Sequence, residues 1–185
     1  MDSADIELGF RHILDAAGYD HILFVVALCA VYTLKDWKKV LVLVTAFTIG
    51  HSLTLALSAV GSINISASFV ERLIPITIIL TCVFNIFTDP VNSKKSIHYN
   101  YLIALIFGLV HGLGFSNFFK SMFENFEEFV LPLLGFNIGL ELGQIIVVLV
   151  TLLMGYLAVR LGMVQKMWTN MISCIVMIWA IYLMF

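Results

Sequence analysis

The sequence predicts an all-α membrane protein: a polytopic bundle of about six transmembrane helices with an N-terminal amphipathic helix before them. Three observations carry this expectation. Hydrophobic residues make up 61% of the 185-residue chain and charged residues 12%, whereas a soluble domain is about half apolar and about a quarter charged. Mean hydropathy is +1.03. The apolar residues also form continuous runs near the ~20 residues that cross a bilayer as a helix, without the alternation of a membrane barrel. Residues 1–185 therefore read as one transmembrane domain, with 1–18 an outer amphipathic segment and 19–185 the helix bundle.

The elements follow in order. Residues 3–17 place Ile6, Phe10, Ile13, Leu14 and Ala17 on one helical face, with Asp5 and Glu7 early. This pattern predicts a helix lying on the outer surface or lidding the bundle. The opening MDSADIELGF is acidic and lacks a basic n-region, so the first span is expected to act as its own insertion signal. Six spans are expected at 20–34, 39–60, 67–88, 100–120, 129–158 and 167–185. The fifth is long enough to tilt or to end near Gly155. Pro90 and the polar residues after it mark the end of the third.

The connectors KDWKK, VGSINIS, DPVNSKKS, ENFEE and RLGMVQK are too short to hold a soluble domain, so function lies within the membrane or at its rim. Seven basic residues (Lys35, Lys38, Lys39, Lys94, Lys95, Arg160, Lys166) fall on one side, against Arg11, Arg72 and Lys120 on the other. The positive-inside bias puts the first group in the cytoplasm and both termini outside. ENFEE becomes an outer loop, and Trp37 and Trp168 fall at the inner interface.

Several function classes drop out. Net charge is −2, with no basic tail to meet nucleic acid. No GxGxxG or P-loop offers a nucleotide site. Cys29, Cys82 and Cys174 stand singly in apolar segments and form no CxxC pair. No GxSxG elbow is present, and Ser52 and His51 are helix neighbours that point about 100° apart, so they make no nucleophile–base pair. A homo-oligomer is left open.

Ionisable groups inside such a bundle are informative, because each costs a few kcal/mol and normally faces the interior. They are Asp20, His21, His51, Glu71, His111 and Glu141, with Asn137 and Gln144 as polar neighbours of the last. FTIGHSLTL and FGLVHGLGF share a Phe-x-x-x-His-(Ser/Gly)-Leu spelling around His51 and His111. Each histidine lies roughly 13 Å below the outer rim of its helix. Asn137 and Glu141 fall at roughly 12 and 18 Å on the fifth helix. Asn137, Glu141 and Gln144 share one stripe; Thr48, His51, Ser52 and Leu55 share another. Gly108, Gly112 and Gly114 leave room around His111.

Imidazoles and carboxylates meeting on several helices suit a divalent transition metal such as nickel, cobalt or zinc. The expected metal residues are Asp20, His21, His51, His111 and Glu141, supported by His12, Glu71, Asn137 and Gln144. A proton relay is the other chemistry open to histidine. His98 falls in a cytoplasmic loop.

GFRHIL, YDHILF, TAFTIGHSLTL, VERLI, FGLVHGLGF and FNIGLELGQ, in that order over residues 9 to about 145, resemble the blocks of the HupE/UreJ membrane proteins. These are hydrogenase- and urease-accessory proteins regarded as nickel or cobalt permeases. The resemblance implies a small helical bundle in the bacterial inner membrane, with Asp20, His21, His51, His111 and Glu141 handling the metal and Glu71 and Gln144 supporting. The leading expectation is a permease or binding protein for a divalent cation, open to the outer side. A membrane-embedded zinc hydrolase with Glu141 or Glu71 as its base is the alternative, and an accessory structural subunit a further one. A permease requires a polar stretch continuing inward from the site, for which Asn85, Thr81 and Gln144 are candidates. A hydrolase requires a closed floor.

Overall fold

A computed structural model describes residues 2–15, 19–61, 65–88, 97–121 and 126–185, with all their side chains except those of 97–99, 117, 120 and 126–128. The described chain is all-helical. Helix α1 spans Ser3–Leu14, α2 Asp20–Cys29, α3 Trp37–Ala59, α4 Ala67–Phe87, α5 Ile97–Ser121, α6 Phe126–Arg160 and α7 Gln165–Tyr182, with a 3-10 turn at Leu34–Asp36 before α3. Among the described residues, three segments are long and apolar enough to cross a membrane: Leu34–Ala59, Ala67–Phe87 and Phe129–Arg160. Pro90, Lys94 and Lys95, the first two residues of ENFEE, Ala17 and the side chain of His98 lie outside the described residues.

Close backbone approach organises the bundle. Along the α3–α5 seam, Gly50 sits on the Leu105 carbonyl, Gly108 on the Phe47 carbonyl, and Gly112 on the His51 carbonyl and the Thr54 hydroxyl. Sequence numbers rise together across this seam, so the two helices run parallel. No Cβ fits at these glycines without moving a backbone, which is how small residues bring helices together where lipid supplies no hydrophobic drive. The α3–α6 seam is antiparallel and polar. Thr45 Oγ1 donates to Glu141 Oε1 at 2.7 Å, Thr48 Oγ1 to Gln144 Oε1 at 2.9 Å, and Ser52 Oγ stands 2.6 Å from Asn137 Oδ1.

Helix α1, expected on the outer surface or as a lid on the bundle, packs against the bundle. It is docked lengthwise on α6: Gly9 meets the Phe136 backbone, Gly139 the Ile6 and Phe10 backbone, and Gly143 the side chain of Ile13. Numbers rise together here too, so α1 runs with α6. Helix α2 continues in the same direction further along α6, where Ile22 and Val26 share a cleft with Ile146, Val147 and Val150. At 1.5 Å per residue, α1 and α2 span roughly 18 and 15 Å. They follow one another along α6, α1 ending at Leu14 and α2 beginning at Asp20.

The far end of α2 is tied down by α7. Thr169 Oγ1 donates to the Ala30 carbonyl at 2.9 Å. Lys166 Nζ donates to the carbonyls of Asn85, Ile86 and Thr88 at 3.0, 2.7 and 2.7 Å, satisfying the orphan acceptors at the end of α4. Lys166 is thus a helix cap as well as a basic residue near the α6–α7 turn. Trp37 is half exposed, and Trp168, in the first turn of α7, is buried against Gly155.

A candidate metal centre

Four histidines from four helices converge where the end of α1 and the start of α2 come together. His12 comes from the last turn of α1, His21 from the first turn of α2, His51 from α3 and His111 from α5. The ring centroid of His21 lies 4.6 Å from His12, 5.6 Å from His51 and 5.2 Å from His111; His12 and His51 are 5.8 Å apart. One ligating nitrogen each of His12, His21 and His51 lies within 4.8 Å of the others. His51 and His111 are fully or almost fully buried, and they are neighbours because the glycine seam sets α3 directly against α5.

Two tautomers are set by geometry. Asp20 Oδ1 lies 3.0 Å from His21 Nδ1 and also accepts the His21 backbone N–H at 2.9 Å. The Phe107 carbonyl lies 2.9 Å from His111 Nδ1. Both partners are acceptors, so each Nδ1 carries the proton and each Nε2 presents a lone pair. Those lone pairs have nothing to bind. His12 Nε2, His21 Nε2, His111 Nε2 and both ring nitrogens of His51 are buried without a hydrogen-bond partner. A buried unpartnered polar atom costs about 1–3 kcal/mol. Each of the four rings thus has an unpartnered nitrogen, and those of His12, His21 and His51 lie close enough to share a metal ion, with Asp20 and the Phe107 carbonyl in the outer positions that usually orient ligating histidines.

Phenylalanine rings close the cluster. Phe115 and Phe136 stand 4.1 and 5.5 Å from His12, on the α1 side of the cluster. Phe24 and Phe47 stand 5.2 and 5.1 Å from His111, on its α2 side. Phe107 packs on Phe24 at 5.7 Å. Thus Phe47 and Phe107, each four residues before its histidine, form part of the floor. These rings are the site residues that reading the sequence missed; the recurring Phe-x-x-x-His was their signal.

Of the expected residues, Asp20, His21, His51 and His111 lie together, and His12, expected in support, stands with His21 and His51 in the trio whose nitrogens lie within 4.8 Å of one another. Glu141, Asn137 and Gln144 stand elsewhere, on the α3–α6 seam, where each pairs with a hydroxyl of α3. Glu71 is exposed on α4.

These features define a helical membrane protein whose interior holds a group of imidazoles that could bind a transition metal. The chain belongs to the HupE/UreJ family: the family described as HupE / UreJ protein matches residues 3–185, essentially the whole chain. No curated protein and no solved structure matches it.

Proposed function

We propose that the protein binds a divalent transition-metal ion (nickel, cobalt or zinc) at the His12–His21–His51–His111 cluster and passes it inward across the bacterial inner membrane. The observation that carries this reading is the gathering of four buried imidazoles with unpartnered nitrogens, three of them within 4.8 Å of one another and two on histidines whose tautomers are already fixed for ligation. Neutral imidazole suits these ions. The Asp20 carboxylate lies at the cluster and favours a cation there, while the C-terminal end of α1 and the N-terminal end of α2 meet at the same place and their dipoles oppose each other. In this reading His12 and the outer phenylalanines meet the ion first, His21, His51 and His111 hold it, and Asp20 keeps His21 in its ligating tautomer. The bundle crosses six times, with α1 and α2 together as the first crossing and both termini outside. A doubly charged ion moving inward gains about 4.6 kcal/mol per 100 mV, at about 2.3 per charge.

A hydrolase needs a carboxylate base beside the metal-bound water. Glu71 is exposed and Glu141 is engaged by Thr45, while the nearby Asp20 already accepts from His21. These placements favour carriage over catalysis.

The test is metal content by mass spectrometry of purified protein and of a His51→Ala/His111→Ala variant, followed by uptake into proteoliposomes under an inside-negative potential. Wild type should carry metal and take it up, and the variant should do neither. Metal-free wild type would sink the binding reading; bound metal without uptake would sink the permease reading.

A further inference from the structure

Beneath the imidazole cluster lies a second cavity that no assignment yet uses. It is a half-open cleft of about 180 Å³ between α2, α4 and α5. Its walls are largely apolar, but Tyr32, Thr81, Asn85 and Asn100 all reach it, and all four are buried. Asn100 Nδ2 donates to Tyr32 Oη at 3.0 Å, and Asn85 Nδ2 to the Ala27 carbonyl at 2.8 Å. Buried polar side chains are costly in a membrane bundle and mark polar passages when they gather round a cavity.

The cleft and the cluster share their helix faces. On α5, Asn100, Ile103, Phe107 and His111 follow one stripe at steps of three, four and four residues. The first three line the cleft and the last is in the cluster. On α2, His21, Phe24 and Leu28 do the same, and Leu28 lines the cleft. From His111 to Asn100 the rise is roughly 16 Å. Phe24 and Phe107 stand between the two spaces, with centroids 5.7 Å apart. Phe107 belongs to both: its ring is in the cleft wall, and its carbonyl holds His111 Nδ1.

We infer that this cleft is the inward, water-accessible vestibule of the cation path, and that the Phe24–Phe107 pair is the closed door between it and the imidazole cluster. The inference rests on the metal-carriage reading but makes a separate claim, that water reaches the cleft from the inner side. The polar groups would let a hydrated divalent cation leave the imidazoles without entering lipid. Movement of the Phe107 ring would open the door, and any backbone shift accompanying it would loosen His111, coupling release to opening.

Two measurements test it. The first is Thr81→Cys in a background with Cys29, Cys82 and Cys174 changed to Ala, probed with a charged, membrane-impermeant thiol reagent in vesicles of each orientation. Labelling from the inner side alone is expected. Labelling only by an uncharged, lipid-permeant maleimide would make the cleft a lipid-facing crevice, and no labelling by either would make it closed; both results overturn the inference. The second is Ile103→Trp in the otherwise unchanged chain, which fills the cleft without removing a hydrogen bond. Metal affinity should stay as in wild type and uptake should be lost; retained uptake overturns the inference. Wild type without bound metal would count against the metal reading alone, because the labelling arm needs no metal.

Discussion

His51 shows what the cluster costs the fold. Its ring is fully buried and both nitrogens lack partners, although a benzene ring of similar shape would leave nothing unsatisfied. Replacing a buried orphan polar group with an apolar one of like shape is neutral or stabilising, because the unmet hydrogen bonds cost about 1–3 kcal/mol. His51→Phe should therefore melt at or above the wild-type temperature in chelator, and should lose the stabilisation that added metal gives wild type. A lower melting temperature in chelator would mean the imidazole serves the fold rather than a ligand. Asp20 acts one shell out. Asp20→Asn keeps the size but weakens the hold on the protonated His21 Nδ1, and losses of this kind typically reduce metal affinity about 10–100-fold. Competition against a chelator of known affinity would measure it, and unchanged affinity would free Asp20 of an orienting role. Because the ligating nitrogens must be unprotonated, protons compete with the metal at each one. Affinity should fall as pH falls, with protons released on binding; an affinity that rose on acidification would contradict imidazole ligation.

At the scale of elements, α1 reaches the cluster through glycine contacts. A Cβ at Gly139 would strike the Ile6 carbonyl, so Gly139→Val should push α1 off α6 and carry His12 away. Metal affinity should drop as it does in His12→Ala, and the double variant should be no worse than either single, because both remove the same ligand. Additive losses would show that α1 contributes more than His12. The apolar face of α1 was legible in Ile6, Phe10, Ile13 and Leu14, but amphipathicity says that a face is covered, not by what. The Gly139–Gly143 pair on α6 carried that information, since small residues one turn apart mark a close helix contact. The same limit explains Glu141. Periodicity correctly grouped Asn137, Glu141 and Gln144 on one stripe, yet it says nothing about which face of a neighbour that stripe meets. Thr48 and Ser52 lie about 40° apart around α3, whereas His51 lies about 100° from Ser52. The helix therefore turns its hydroxyls to α6 and its imidazole to the cluster, so a single expected polar pocket is two separate places.

The whole molecule alternates direction at every crossing, and the sense of that alternation decides what the cluster does. Helix α2 runs against α5, which is parallel to α3 and antiparallel to α6. The ends of α2 and α4 meet the start of α7 through Thr169 and Lys166. One face of the bundle thus gathers Lys35, Lys38, Lys39, Arg160 and Lys166. Capping α4 occupies Lys166, but Lys35, Lys38 and Lys39 remain exposed. On the opposite face Arg11 is ion-paired with Glu7 at 2.6 Å and Arg72 is exposed. The excess of cationic side chains at the α2–α3 and α6–α7 connections is the ground for proposing that face as the inner one. In that proposed orientation the imidazole cluster would lie toward the outside and the polar cleft toward the cytoplasm, and the membrane potential would draw a cation from the first to the second. A fluorescent protein that matures only in the cytoplasm reads this directly. Fused after Phe185 it should stay dark. Fused to a chain cut at Gly162, an exposed glycine at positive φ in the α6–α7 turn, it should glow. The reverse pattern would put the cluster on the cytoplasmic side, and the same residues would then face a cation leaving the cell rather than entering it.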